Sequence, residues 1–585
     1  MKQIYYVIQT LLRGRGSNII KVLSLGLALT MSILLFVRVV FEQSYDTCYR
    51  DPDRIYQLFS IFTINGEQGE PGELNLPPVA GAVLENFPQE VEAAVSVCKY
   101  MAFGPLYNGS VRFKDYAVMA DSLFFQTLGI EVLRGDPLHE LQQKDVVFLS
   151  DRLAQKMFGD EDTVGKVINY DKQLQLTVKG IYAALPENST MNPEAVISIV
   201  SAWSRDWAEY SWEGGDSFFQ YIRFRPGVKV DVEKFNARLE TVIHNYLPQD
   251  GKDNSSYTSI VKPLRDVYRS GDMVKRMNAI TLILGLAILF IAAMNYVLIS
   301  ISSLSYRAKA VGVHKCNGAS GGTVFSMFLL ETGIVILLSL ILMVLLLLNF
   351  REMIEETMEV RLTSLFVFGR IWVPLVVVLG LFIVGGVLPG RMFSRIPVSQ
   401  VFRHYTEGKK GWKRPLLFIQ FLGVAFICGL MCVIMAQYHY VLNKNTGYDA
   451  RSIATSDIYF DSDSERDAAR QFFCGLPYVE DVESASYPPC IGMSGMRIMD
   501  ESGQSLFSSR YCVETENYPK MMGMVIKEGR MARERNEAVV NETFAKTMRW
   551  GDDIVGRIVH QGNTSLGDLR VVGVLKDFHT ASFYV

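Results

Sequence analysis

Five stretches of this chain are apolar for long enough to cross a bilayer core of about 30 Å as helices. They run roughly Ile19–Phe41, Met277–Ser302, Val324–Asn349, Ile371–Arg391 and Pro415–Gln437. The second and fifth carry no charged residue, the third carries only Glu331, and the first carries Lys21 and Arg38 near its ends. Long basic side chains at span ends are expected to snorkel to the interface. The first run is too long for a signal peptide, and Phe36–Phe41 offers no small-residue cleavage site, so it reads as an uncleaved anchor. With 585 residues, 49% hydrophobic and only 20% charged, the chain is neither disordered nor a disulfide scaffold. The fold class is an α-helical multi-pass membrane protein with two large α+β domains outside the bilayer.

Charge placement orients it. Residues 1–18, 303–323 and 391–414 hold thirteen Lys/Arg against one acidic residue, Glu407; the opposite side holds 43 basic against 59 acidic residues. Basic loops stay cytoplasmic, so the N-terminus is expected inside. The organisation is a cytoplasmic amphipathic segment (1–18), a span (19–41), a first outer domain (42–276), a span (277–302), and a cytoplasmic loop (303–323). Then come a span (324–349), a short outer loop (350–370), a span (371–391), a basic linker (392–414), a fifth span (415–437) and a second outer domain (438–585). No folded domain carries a basic face of the kind nucleic acid requires, and none is expected to bind it.

The outer domains repeat one another. Thr127-Leu128-Gly129-Ile130 and Arg134-Gly135 match Met521-Met522-Gly523-Met524 and Glu528-Gly529, at an offset of 394. Ala154–Met157, Val164–Ile168 and Val178–Ile181 match Ala545–Met548, Val555–Val559 and Val571–Val574. Alternating apolar runs at Val146–Leu149, Leu174–Val178 and Leu569–Val574 predict strands, and Asp151–Met157 and Glu542–Met548 predict helices. A second half on the plan of the first would need three more spans after Val585, so a longer protein with eight is expected.

Catalytic chemistry is hard to find. Gly159–Val167 resembles a phosphate loop but has five residues between its glycines and Val after Lys166, so it reads as a structural turn. The seven histidines form no HExxH pair, no GxSxG elbow occurs, and the eight cysteines form no CxxC pair. No catalytic, cofactor-binding or metal-binding residue is assigned, and the chain is not expected to be an enzyme. Cys490 and Cys512 are the candidate pair for any disulfide.

What stands out instead is the loop after the second span, Arg307-Ala-Lys309-Ala-Val-Gly312-Val-His-Lys315-Cys-Asn-Gly318-Ala-Ser320. By composition it is either a positive-inside anchor or a short interfacial helix offered to a cytoplasmic partner. The segment resembles the R-x-K-E-(I/V)-G-(I/V)-R-K-x-x-G-A-S stretch of the FtsX/MacB-like ABC transporter permeases. Asn295, Ser302 and Glu331 match that family's spans. Ile4, Ile8, Leu11 and Leu12, then Glu42–Asp46, Asp53–Tyr56 and Ile396–Arg403, match its long Bacteroidetes-type members with duplicated MacB-like periplasmic core domains. The resemblance implies a coupling loop, Arg307, Lys309, Gly312, Lys315 and Gly318, docking on a separate cytoplasmic ABC ATPase. Ala310 stands where the family has Glu.

It also implies the inner membrane as location and a homodimer or pseudo-dimer as working unit. ATP and magnesium would be held by the partner, no cofactor by this chain, and a periplasmic or outer-membrane adaptor is a compatible partner. Export of a peptide or drug, lipoprotein release and control of a cell-wall hydrolase are compatible outputs; a receptor sensing a periplasmic ligand is the alternative. Glu331 lies deep enough to require either a paired neighbour or a role in a helix-packing switch. Trp203, Trp207, Tyr210 and Trp212 read either as domain core or as a recognition patch.

Overall fold

The computed structural model describes all residues except 1–16, 100–103, 115, 172–173, 213–216, 248–254, 303–311, 314, 317, 395–412, 457, 459, 461, 487, 490–492, 563–566 and 581–585. The N-terminal amphipathic segment, Arg307, Lys309, most of the basic linker and Cys490 therefore lie outside the described residues.

Among the described residues five helices are long and apolar enough to cross a membrane. They are α1 (Ser17–Gln43), α2 (Asp272–Ser302), α3 (Gly321–Asn349), α4 (Trp372–Phe382) and α5 (Lys413–Asn443). The fourth continues through a π-helical stretch, Ile383–Val387, into Leu388–Ser394. Helix α1 is the central one: Leu25, Leu29, Ile33 and Val37 repeat at helical spacing and are buried against α2, α3 and α4. Small residues set the crossings. A Cβ on Gly26 would fall 2.6 Å from Leu342, and one on Gly285 would fall 2.9 Å from Phe36. Among the described residues no residue in the apolar window of α5 is fully buried within the chain.

The first outer domain is built on one mixed sheet. Along its main path run β1 (Ile55–Ile64), β2 (Val91–Cys98), β3 (Leu106–Asn108), β4 (Val111–Phe113), β5 (Ala117–Ala120), β6 (Val146–Ser150), β7 (Val167–Tyr170), β8 (Leu174–Tyr182), β9 (Ala195–Ser198), β10 (Phe218–Phe224) and β11 (Ser255–Pro263), with the short strands Glu67–Gln68, Leu74–Asn75 and Val132–Arg134 pairing beside it. They are ordered β11-β1-β10-β2-β5-β9-β6-β8-β7-β3-β4. Three apolar clusters, under the helices Asp151–Phe158, Phe124–Leu128 and Val232–Tyr246, cover its faces.

The second outer domain repeats part of this plan with β12 (Ser494–Met499), β13 (Ser505–Tyr511), β14 (Ile526–Gly529), β15 (Glu537–Asn541), β16 (Ile558–Gly562) and β17 (Leu569–Leu575). The repeat is physical, down to its irregularities. Strand β6 pairs parallel with β8 across a bulge between Val178 and Gly180; β15 pairs parallel with β17 across a register shift that sets Ala538 and Val539 opposite Val571 and Gly573. Ser150 caps the first helix by accepting from the Leu153 N–H, and Asn541 caps its counterpart by accepting from the Phe544 N–H. The phosphate-loop lookalike is a turn in both copies. Gly165 and Gly556 hold φ of +91° and +98°, and each donates its N–H to Val178 or Val571 at 2.7 Å.

Strand β8 runs four residues beyond the Leu174–Val178 expected for it, to Tyr182. Gly180 is the reason. Its bulge passes so close to the chain at Arg134 that a Cβ would sit 2.5 Å from the Arg134 carbonyl and 2.1 Å from the Phe148 ring.

Candidate functional site

Polar side chains gather at three levels of the helix bundle. At the loop end, Ser320 caps α3 by accepting from the Thr323 N–H at 3.2 Å. Just before it, Gly318 takes φ of +86° and returns its N–H to the Lys315 carbonyl. Lys315 Nζ donates to the Ser394 carbonyl at 2.9 Å, tying the loop to the end of the α4 extension. Gly312 is buried. The described part of the loop is thus held against two helices at once.

Within the bundle, Lys21 of α1 meets Glu331 of α3, Nζ to Oε1 at 3.6 Å, with the lysine side chain only 1% exposed. Lys21 therefore does not snorkel. Its position on α1 faces the helix partners, where the Glu331 carboxylate compensates its charge inside the bundle. Tyr296 of α2 places its ring 5.6 Å from Lys21 Nζ and donates its hydroxyl to Thr332 Oγ1 at 3.0 Å. Asn295 is half-buried beside it; the side chain that α2 brings to the pair is Tyr296. Gly385, in the π-helical stretch, packs against the same tyrosine, 2.9 Å from where its Cβ would stand. Four helices converge on one ion pair.

At the outer end, the last turn of α1 is bolted to the first outer domain. Asn188 Nδ2 donates to the Ser44 carbonyl at 2.7 Å and to Ser44 Oγ at 3.1 Å. The Asp46 N–H donates to the Asn188 carbonyl at 3.0 Å. The Asp46 carboxylate accepts from the Thr190 N–H at 2.9 Å and from the Thr190 hydroxyl at 3.0 Å. Asp46 is fully buried. Burial pushes its pKa up to about 6, against the opposing pull of the Thr190 hydrogen bonds and the Lys99 charge.

The outer loop joins the same point. Arg370 donates to Ser44 Oγ at 2.8 Å, and Arg361 pairs with Glu187. Glu42 closes the joint on the α2 side. Arg38 pairs with it at 2.6 Å, the Tyr268 hydroxyl donates to it at 2.5 Å, and Tyr268 stacks on Tyr45 at 3.7 Å. Partial burial, with the Glu42 carboxylate beside it, pushes the half-buried Tyr268 phenol well above its ordinary pKa.

The aromatic cluster divides. Trp203 packs against the core beneath Asp151–Phe158, and Trp212 packs against a different core while stacking on Tyr246 at 4.9 Å. Trp207 and Tyr210 are 38% and 55% exposed, with Tyr210 edge-on to Trp203 at 5.6 Å. Lys21 was expected to snorkel, and Tyr296, Asn188, Thr190 and Tyr268 had no role assigned from sequence. The signal for the joint at Ser44–Asp46 was the polar run Glu42–Asp46 directly after an apolar span.

The chain matches the MacB-like periplasmic core domain over residues 22–242 and 419–585. It is 26% identical over 239 residues to the macrolide export ATP-binding/permease protein MacB of Chromobacterium violaceum. That match covers 39% of this chain and 34% of the relative, so the chain spans about a third of the curated protein it matches. A domain from Porphyromonas gingivalis aligns at 21% identity over 37% of this chain and 91% of its own, with a TM-score of 0.32. The periplasmic region of MacB from Actinobacillus actinomycetemcomitans aligns at 15% over 36% and 91%, with a TM-score of 0.26. With family matches spanning both outer domains, the chain belongs to the MacB-like periplasmic core domain family and is a MacB/FtsX-like ABC transporter permease.

Proposed function

We propose that the protein is the multi-pass inner-membrane subunit of an ABC complex, with its N-terminus cytoplasmic, that turns ATP hydrolysis by a separate ATPase into movement of its outer domains. The loop Arg307–Ser320 is the input, and the two outer domains are the output. ATP and magnesium reside on the partner, and this chain performs no bond-breaking step. The carrying observation is the joint at Ser44–Asp46, where α1, the outer loop and the first outer domain share one hydrogen-bond network. A rigid shift of α1 would be passed to the domain rather than absorbed by a flexible linker. Nucleotide-driven closure of the ATPases then biases a two-state element through contacts that differ between states.

Cargo engages the outer domains instead of a polar path through the apolar spans. Export is the output favoured here, supported by a relative named for macrolide export. The test is purification of the protein from its native host in mild detergent, with ATP hydrolysis assayed on whatever co-purifies. An associated ATPase that is lost on combining Gly312→Pro with Lys315→Glu supports the reading. A stable assembly without any ATPase, from cells that express one, points to the receptor alternative.

A further inference from the structure

Between α3 and α4 lies an open groove of about 520 Å³, lined by Ser326, Leu329, Leu330, Gly333, Ile334, Leu337 and Phe382. Its size falls within the range of ligand-holding clefts, about 300–1,000 Å³. The lining is apolar, and its depth comes from Gly333, which leaves the Phe382 ring as the far wall; a Cβ there would stand 3.8 Å from that ring. Nothing in the family reading above uses this face.

The groove has a charged mouth. Gly386 packs on Leu329 and Thr332, and Gly390 packs on Phe325, so α3 and the α4 extension run antiparallel. The residue after Gly390 therefore turns to the same side as Ser326 and Leu330, which follow Phe325 and Leu329 on α3. That residue is Arg391, exposed, at the end of the span, with no carboxylate partner among the described residues. Lys315 is anchored one turn further on, at the Ser394 carbonyl.

We propose that this groove and Arg391 form a binding site for an anionic phospholipid of the inner leaflet. One acyl chain lies along Leu330, Gly333 and Leu337, and the phosphate pairs with Arg391. Charge complementarity selects this occupant, because a purely apolar helix would leave the guanidinium at the mouth without a counter-charge. Basic positions beside clefts between spans are suited to such headgroups. The inference rests on the membrane orientation proposed above. It also places the lipid against α3, which carries Glu331, and against the segment to which Lys315 is tied.

The test uses the full chain, purified in mild detergent, stripped of lipid and titrated with phosphatidylglycerol or phosphatidylcholine, bound lipid being counted by native mass spectrometry. The wild type is expected to prefer phosphatidylglycerol, Arg391→Gln to weaken it roughly fivefold, and Gly333→Leu to lose both lipids. Leucine is a better helix former than glycine and projects into the groove, so that variant should fold; the helical circular dichroism checks it. Equal retention by wild type and Gly333→Leu overturns the groove, and an unchanged headgroup preference in Arg391→Gln overturns the phosphate contact. A dimer that Gly333→Leu dissociates would show the occupant to be a second copy, and would overturn the lipid. ATPase co-purification is scored on the wild type in parallel: its absence there fails the permease reading whatever the lipid counts show, so the two failures are distinguishable.

Discussion

The Lys21–Glu331 pair allows a quantitative test of how the spans are held. At 3.6 Å, two unit charges in a medium of effective dielectric near 20 attract by about 4–5 kcal/mol before desolvation is subtracted. Removing one partner takes from the other its counter-charge across the bundle, which costs up to about 3–5 kcal/mol. Replacing both removes the attraction and the desolvation together. Lys21→Met and Glu331→Gln should therefore each destabilise the bundle by about 3–5 kcal/mol, while the double variant should recover most of that loss. The assay is unfolding in mixed micelles followed by helical circular dichroism, with ATPase binding measured in parallel. Tyr296→Phe supplies a control, since it keeps the ring near Lys21 but removes the 3.0 Å hydrogen bond to Thr332, and should cost about 1 kcal/mol. If both single variants cost less than about 1 kcal/mol and their effects add, the two charges do not interact and the four-helix convergence has no energetic meaning.

Three further outcomes follow from the joints and the repeat. Asp46→Asn should stabilise the protein at neutral pH by up to about 3 kcal/mol and leave it unchanged near pH 4. The native carboxyl, raised to about 6 from 3.8, binds more protons folded than unfolded between those values, so stability falls as pH rises through that window; asparagine, well suited to the φ of +55° there, should flatten the slope in denaturant titrations. Asn188→Ala should raise amide hydrogen exchange in residues 44–46 and 187–190 while leaving the sheet strands protected, because it removes the side-chain donor to Ser44. Gly180→Ala should cost the first outer domain about 1–3 kcal/mol in urea unfolding, and Gly573→Ala should do the same in the second, where a Cβ would fall 2.2 Å from the Arg530 carbonyl.

Much of the architecture was legible in the sequence, for physical reasons that act locally. A run of twenty apolar residues has few fates other than a helix in a bilayer or a core, and alternation at Leu174–Val178 marks a half-buried strand whatever its partner. The internal repeat was visible because its glycines are irreplaceable: Gly135 and Gly529 both sit at positive φ against a neighbouring strand, with a Cβ excluded at 2.5 and 2.2 Å. The extension of β8 was not legible, since a bulge looks like the end of an alternating pattern. Lys21 was misread for a related reason. Composition places a lysine near a span end, but only the helix packing says whether it faces lipid or Glu331.

The aromatic run shows the same limit. Four rings within ten residues suggested a single purpose, yet backbone turns send Trp203 and Trp212 to separate cores and leave Trp207 and Tyr210 on the surface.

By itself, then, the sequence determined the five apolar helices, the lopsided basic charge, and the duplicated outer modules, because each depends on composition or spacing within a short window. Tertiary structure alone decided the joint that binds Ser44 to Asn188, 144 positions away, the partner of Glu331, and the groove beside Arg391. Those depend on which faces of distant helices meet, and that is settled by packing small residues such as Gly26, Gly285 and Gly385 against bulky neighbours. A helix can be read from its own residues; the neighbour it turns towards cannot.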